Sequence, residues 1–223
     1  MLTIHPVVHA LAPGAAMGLL ALRGVAADRP PDAAAEQEAL ERLRARYGPL
    51  ERSQLVELDP LRAYVAWYRR FGQSYHLLAQ IESVRQNRRG LNAGSALLGA
   101  MFAWELESLL LTAGHDLATL QQPLELRCAT GEEAYLSLSG REVRAVAGDL
   151  MLSDGQGPVS SILRGPDRRS RITPDTREVL FTVYGPPGVG AERIARELAT
   201  LQARLQALFP AAEATHLRVY NAV

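Results

Sequence analysis

The sequence reads LELRCATGEEAYLSLSGREVRAVAGDLMLSDGQGPVSSIL at residues 124–163. Five short apolar runs lie in this stretch, and glycine-containing turns separate them. The runs are residues 124–129, 134–138, 143–146, 150–153 and 159–163. Short runs of this kind, bounded by turn residues, are typical of β-strands. We therefore predict that this part of the chain is rich in strands joined by tight turns.

Segments with helical periodicity precede this stretch. They are residues 33–47, a helix that Asp59 caps and Gly72 ends, a helix from about 76 to Arg89, and one from about 95 to 111. The last is apolar on nearly all sides around Trp104, Glu105 and Glu107, which predicts a central position and a buried Trp104. Residues 2–10 and 17–25 are predicted strands at the start of the chain.

Beyond the β-rich stretch, residues 179–184 and 216–220 are predicted strands, and residues 191–208 form a clear amphipathic helix. Helices grouped before strands indicate an α+β fold rather than alternating βαβ units. We predict a single α+β domain over residues 1–223, with a mostly antiparallel or mixed sheet flanked by helices.

Composition excludes several classes of protein. The 24 basic residues, all arginine, balance 24 acidic ones, which argues against a protein coated with positive charge and against a DNA partner. The absence of lysine excludes a Schiff-base lysine, and the single Cys128 excludes an intrachain disulfide. No apolar run is long enough to span a membrane. We expect a soluble, cytoplasmic protein with no metal and no cofactor.

The glycine-rich segment from Gly185 to Ala191 lies between a predicted strand and a predicted helix, where phosphate-binding loops occur. Such loops need a lysine and a serine or threonine after the last glycine. Here Ala191, Glu192 and Arg193 follow, so we predict a plain strand-to-helix turn.

Five arginines form the densest polar cluster of the sequence. They are Arg164, Arg168, Arg169, Arg171 and Arg177. Guanidinium groups bind phosphate through paired hydrogen bonds, so this cluster is a candidate substrate- or RNA-binding site. A solvated loop is the alternative interpretation, and the sequence leaves it open.

Several short motifs in order resemble one known family. They are Leu126-Arg127-Cys128-Ala129, Gly131-Glu132, Gly148-Asp149, Asp154 and the run from Thr173 to Phe181, preceded by an aromatic helix that ends in Arg-Phe-Gly at Gly72 and by Gly-His-Asp-Leu at residues 114–117. This order is similar to the B-three/B-four editing domain of the bacterial phenylalanyl-tRNA synthetase beta chain. It resembles still more the free-standing proteins built on that domain. The resemblance is clearest over residues 55–185.

The resemblance implies an α+β domain whose central pocket accepts the 3′ end of a mischarged tRNA and hydrolyses its aminoacyl ester. The leading hypothesis is accordingly an aminoacyl-tRNA-binding protein, with trans-editing hydrolysis as its catalytic form. The alternative is a non-catalytic module that binds an amino-acid-like small molecule or an RNA end in the same pocket. A third hypothesis is a structural or partner-binding domain that uses the helix at residues 191–208.

The sequence departs from the family's pocket. The family's helix Asp and Asn fall at Ala96 and Gly99 when Asn92 sets the alignment, or at Gly99 and Phe102 when Asp116 does. Its pocket histidine falls at Ala113, and its tyrosine-recognising glutamate falls at Arg169. These losses predict that any hydrolysis relies on water held by backbone groups and on the ribose hydroxyl. His115, two positions from Ala113, is the candidate catalytic side chain that would contradict this prediction.

Overall fold

The computed structural model describes residues 2–86, 91 and 93–222. Arg89, the predicted end of the third helix, and Asn92 lie outside the described residues. The strands are β1 Leu2–Ile4, β2 Ala16–Arg23, β3 Thr112–Asp116, β4 Leu124–Cys128, β5 Ala134–Leu136, β6 Glu142–Arg144, β7 Leu150–Asp154, β8 Gly157–Ser161, β9 Gly165–Pro166, β10 Glu178–Gly185 and β11 Glu213–Asn221. The helices are α1 Pro6–Leu11, α2 Ala33–Tyr47, α3 Arg52–Leu55, α4 Leu61–Arg70, α5 His76–Arg85, α6 Ala96–Ser108 and α7 Ala191–Leu208.

Two main sheets and the helices around them form the α+β fold that the sequence predicts. One sheet has the order β11-β2-β10-β3 and is antiparallel throughout. The other has the order β1-β4-β7-β8-β9 and is mixed, because β1 runs parallel to β4. A separate hairpin consists of β5 and β6. In the antiparallel sheet, β3 is an edge strand.

The antiparallel sheet packs against α7 at two glycines. A Cβ atom built on Gly18 or Gly185 would lie 2.5 Å from a methyl carbon of Ile194. Ile194 and Leu198 on α7 are fully buried at this contact. The two strands therefore need glycine so that the helix can approach the sheet. The glycine-rich segment after β10 is a turn into α7, as predicted.

Helix α6 is central, and Trp104 is buried, as predicted. The Trp104 Nε1–H donates to the Glu197 carbonyl oxygen at 3.1 Å and to Thr200 Oγ1 at 3.0 Å, which joins α6 to α7. The helix ends earlier than the predicted residue 111, because Leu109 adopts a left-handed conformation with φ 62°. The chain then enters β3, a strand that the sequence analysis did not predict.

Two predictions near helix starts were wrong. Residues 2–10 are not one strand, because β1 stops at Ile4 and α1 begins at Pro6, a residue suited to the first helical turn. His5 caps that helix, since its Nδ1 accepts the Val7 N–H at 3.2 Å. At α4, the cap residue is Pro60 rather than Asp59, and it makes no side-chain cap hydrogen bond. The buried face of α4 consists of Leu61, Tyr64, Val65, Trp67 and Tyr68.

Candidate functional site

A cavity of about 470 Å³ lies between α6, the outer edge of β3 and the loop between β8 and β9. This volume is in the range of pockets that bind small organic ligands. Most of its wall is apolar, with Leu98, Met101 and Phe102 on α6 and Ile172 beyond the loop. The polar side chains on the wall are Tyr68, His76, Gln80, Glu105, Thr112, Ser160, Ser161, Arg164, Arg171 and Tyr184.

Glu105 is the one carboxylic acid among the described residues that line this cavity. It projects from α6 and is only 5% exposed. Its Oε1 accepts the backbone N–H of Thr112 at 2.8 Å. Burial raises the pKa of Glu105 from 4.5 to about 7, and the hydrogen bond from Thr112 partly opposes that increase. Near neutral pH this carboxyl can therefore both accept and release a proton.

The edge of β3 presents backbone N–H groups beside Glu105. The Tyr184 N–H donates to the Leu111 carbonyl oxygen, so residues 111, 113 and 115 direct their backbone groups toward β10. Residues 112, 114 and 116 direct their backbone groups to the outer edge of β3, away from β10. The Thr112 N–H donates to Glu105, and the Asp116 N–H donates to the Ser170 carbonyl oxygen at 2.7 Å. Gly114 lies between them on the cavity wall.

A network of buried hydrogen bonds fixes the opposite wall, residues 160–163. Tyr68 Oη donates to the Ile162 carbonyl oxygen at 2.6 Å, and Tyr184 Oη donates to the Ser160 carbonyl oxygen at 2.7 Å. Beneath the loop, the fully buried Asp149 accepts the Leu163 N–H at 2.9 Å and the Trp67 Nε1–H at 3.0 Å. Burial raises the pKa of Asp149 to about 6. Asp149 thus holds the wall in place from behind.

Four of the five predicted arginines line the cavity or a neighbouring groove. Arg164 and Arg171 are exposed and line the cavity. Arg171 also lines a second, more open groove of about 470 Å³, together with Arg168 and Arg169. Each guanidinium group has five N–H donors. Among the described residues, the guanidinium groups of Arg164 and Arg171 each make one hydrogen bond, to the carbonyl oxygens of Arg144 and Arg168, which leaves donors available for a ligand.

Arg169 and Arg177 are engaged by the protein itself. Arg169 forms a two-bond ion pair with Asp154, with both N–O distances 3.0 Å, and its Nη1 also donates to the Thr119 carbonyl oxygen. Arg177 donates to the Pro174 carbonyl oxygen and lies 3.6 Å from an Asp28 carboxylate oxygen. Arg177 lines neither the cavity nor the groove.

His115 is fully buried in β3 and is not among the residues that line the cavity. The two residues before it, Ala113 and Gly114, do line the cavity. Its Nδ1 lies 2.7 Å from Ser170 Oγ, whose hydroxyl donates to the Asp167 carboxylate. Burial and the nearby Arg169 lower the pKa of His115 to about 3. The catalytic role of His115 stays a prediction, and its surroundings favour a neutral structural side chain that joins β3 to the arginine-containing loop.

The positions at which the resembled family has polar pocket groups lie in three different places. Ala113 and Phe102 line the cavity, whereas Ala96 and Gly99 line a smaller cavity of about 220 Å³ between α2, α6 and α7. Arg169, where the family has a glutamate, points into its ion pair with Asp154. The carboxyl in the cavity comes instead from Glu105, which was predicted as a polar position on α6 but not as a site residue. The signal in the sequence that could have indicated a site residue was a carboxylic acid on a helix that is apolar on nearly all sides.

Within residues 2–86, 91 and 93–222, no three His, Cys, Asp or Glu side chains are grouped so that they could hold a metal ion. In the same part of the chain, no helix has the length and apolar character needed to cross a membrane.

No family model and no curated protein matches the sequence. Among solved structures, the chain is similar to an N-terminal fragment of the phenylalanyl-tRNA synthetase beta subunit from Pyrococcus horikoshii, with a TM-score of 0.46 and 12% sequence identity. The match covers 92% of this chain and 48% of that chain. The chain therefore spans about half the length of the fragment it matches.

Proposed function

We propose that the protein binds the aminoacylated 3′ end of a tRNA, with the amino acid in the cavity and the RNA end against the arginines at its mouth. The observation that carries this proposal is the combination of an apolar cavity of about 470 Å³ with Arg164 and Arg171 on its rim. A ligand that suits both parts has an apolar group joined closely to phosphates. A cytoplasmic location belongs to the same proposal, since charged tRNA is found there.

The cavity suits an amino acid with an apolar side chain. Leu98, Met101 and Phe102 give it an apolar floor, and binding there removes apolar ligand surface from water. A cavity of this kind separates amino acids that differ by one methylene only weakly. We therefore expect selection for a class of apolar side chains rather than for a single amino acid.

The arginines suit the phosphates of the RNA end. The chain has no net charge, so attraction of RNA must be local. Arg171 lies on both the cavity and the groove, which makes a continuous path from Arg164 to Arg168. Arg169 supports this loop through Asp154.

A second candidate function is the binding of a free amino-acid-like molecule. The observation that favours it is Glu105, because a carboxylate in an apolar cavity can pair with the protonated amine of such a molecule. In this case the RNA would add nothing to the affinity.

One binding experiment separates the two. The probes are an RNA hairpin ending in CCA with phenylalanine attached through a stable 3′-amide, the same hairpin without the amino acid, and phenylalaninamide alone. We expect the aminoacylated hairpin to bind most tightly, and Arg171→Ala to reduce the salt dependence of its affinity by about one phosphate contact. Arg177→Ala is the matched control. Equal affinity for phenylalaninamide and the aminoacylated hairpin would favour the small-molecule function, and equal affinity for both hairpins would refute recognition of the amino acid.

A further inference from the structure

The cavity holds a carboxyl group, Glu105, that can exchange a proton with a bound molecule as well as contact it. Glu105 is almost completely buried, yet within the described part of the chain only one of its carboxylate oxygens has a protein hydrogen bond, the 2.8 Å contact from the Thr112 N–H to Oε1. The side chain lines the cavity, so its other oxygen is free to contact whatever occupies that space. The Thr112 contact also fixes the orientation of the carboxylate plane.

A second polar group, the Gly114 N–H, lies at the edge of β3 beside the same cavity, where a β-bridge between His115 and Arg171 joins this edge to the loop that carries the arginines. Thr112 and Asp116 direct their N–H groups to the outer edge of the strand, and Gly114 lies on that edge between them. Neighbouring positions on one strand edge are about 7 Å apart. The Glu105 carboxylate contacts the Thr112 N–H, and the Gly114 N–H is the next position on the same edge. Two groups spaced in this way can flank one carbonyl group and an attacking water, because each hydrogen bond is about 3 Å long.

We propose that the cavity is the active site of an aminoacyl ester hydrolase in which Glu105 is the general base and the Gly114 N–H stabilises the oxyanion. This inference rests on the proposed function, since it takes the aminoacylated RNA end as the substrate. It replaces the expectation that hydrolysis relies on backbone groups and the ribose hydroxyl without a side-chain base.

The reaction balances without any further reactant. Glu105 accepts a proton from a water molecule while the water oxygen bonds to the ester carbonyl carbon, and the carbonyl oxygen becomes an oxyanion at the Gly114 N–H. The tetrahedral intermediate then collapses, and the bond between the carbonyl carbon and the ribose 3′ oxygen breaks. Glu105 returns its proton to that 3′ oxygen. The products are the free amino acid and a tRNA with an intact 3′ hydroxyl.

The variant Glu105→Gln tests the base directly. The glutamine carbonyl oxygen can still accept the Thr112 N–H, while the side chain can no longer take up a proton. Glu107→Gln is the matched control on the same helix, because Glu107 contacts Arg42 and Arg204 and is not among the residues that line the cavity.

The assay follows deacylation of tRNAs charged with radiolabelled phenylalanine, tyrosine, leucine, isoleucine, valine or alanine, with spontaneous hydrolysis subtracted. We expect the unmodified protein to deacylate at least one of them. Glu105→Gln should lower that rate about 10²- to 10⁴-fold and leave affinity for the amide-linked hairpin nearly unchanged. Glu107→Gln should keep the rate. The rate of the unmodified protein should also rise with pH until Glu105 is ionised, a readout that needs no variant.

The outcomes distinguish this inference from the proposed function. If the amide-linked hairpin binds but none of the six charged tRNAs is deacylated, the hydrolase is refuted and the binding function stands. If neither binding nor deacylation occurs, both fall. Deacylation that survives Glu105→Gln at full rate, or that lacks the rise with pH, shows that Glu105 is not the base.

Discussion

Replacing Glu105 with glutamine should make the folded protein more stable at neutral and alkaline pH. An ionised carboxylate in this cavity is costly, which is why its pKa rises from 4.5 to about 7. Above pH 7 the folded protein must hold this carboxylate ionised in the cavity, whereas the unfolded chain holds it in water. A difference of roughly 2.5 pKa units corresponds to about 3 kcal/mol of lost stability.

The sign of the pH dependence follows from the same pair of pKa values. Between about pH 4.5 and pH 7 the folded state binds the proton and the unfolded state releases it, so this group lowers stability as the pH rises through that window. Glu105→Gln removes the effect. We expect the variant to exceed the parent in free energy of unfolding by about 3 kcal/mol at pH 8 and by only about 1 kcal/mol at pH 5.

Urea denaturation followed by tryptophan fluorescence at the two pH values measures this difference. Comparing variant with parent at each pH cancels the contributions of other titrating groups, including Asp149. Glu107→Gln again serves as control, and it should lose a little stability at both pH values because it breaks contacts with Arg42 and Arg204. A Glu105→Gln protein that is less stable than the parent at pH 8, or a gain of equal size at both pH values, would refute the assignment of a buried, proton-binding carboxyl.

Three other substitutions test the remaining contacts. Trp104→Ala should lower the free energy of unfolding by about 3 to 5 kcal/mol in urea titrations, because it empties a core site and removes the hydrogen bonds to α7; a loss near zero would contradict the buried position. Arg169→Ala should cost about 1.5 to 3 kcal/mol, because Asp154 loses its cation and keeps the backbone N–H bonds from Gln121 and Gln156. Arg168→Ala should be nearly neutral in the same titration and instead weaken RNA binding at low salt. His115→Ala should reduce the loss of stability as the pH falls from about 6.5 to 3, since the buried imidazole stays neutral while that of the unfolded chain takes up a proton. The same variant should change the deacylation rate by less than about tenfold. A thousandfold slower rate with folding and tRNA binding intact would identify His115 as the base.

Periodicity predicted the elements whose stability comes from one apolar face. Helix α7 matches the prediction at both ends, because its buried positions Ile194, Leu198, Leu201 and Leu205 repeat with helical spacing. Strand β3 was not predicted, since Thr-Ala-Gly-His-Asp has little intrinsic strand preference and depends on pairing with β10. The short helix α1 was not predicted either, because the apolar run at residues 2–10 was interpreted as one strand, whereas Pro6 begins a helix two residues after β1 ends.

The candidate site was harder to predict than the fold. Tyr68, Glu105 and Ile162 meet in the cavity only through tertiary packing, and no local spacing connects them. The arginine cluster was visible in the sequence, but the sequence did not show which of its arginines pair with carboxylates of the protein and which face a cavity. The loop turns back at Asp167, so Arg169 meets Asp154 while Arg171 faces the cavity. Which arginines have donors to spare depends on those contacts.

The edge of β3 also bears on whether the protein stays dispersed at high concentration. A free strand edge is a template on which another chain can add a strand and start aggregation. Here Glu105 occupies the Thr112 N–H, and the Ser170 carbonyl oxygen occupies the Asp116 N–H. An incoming strand therefore meets no continuous row of donors along this edge, and the same carboxylate that faces the cavity keeps neighbouring molecules from pairing there.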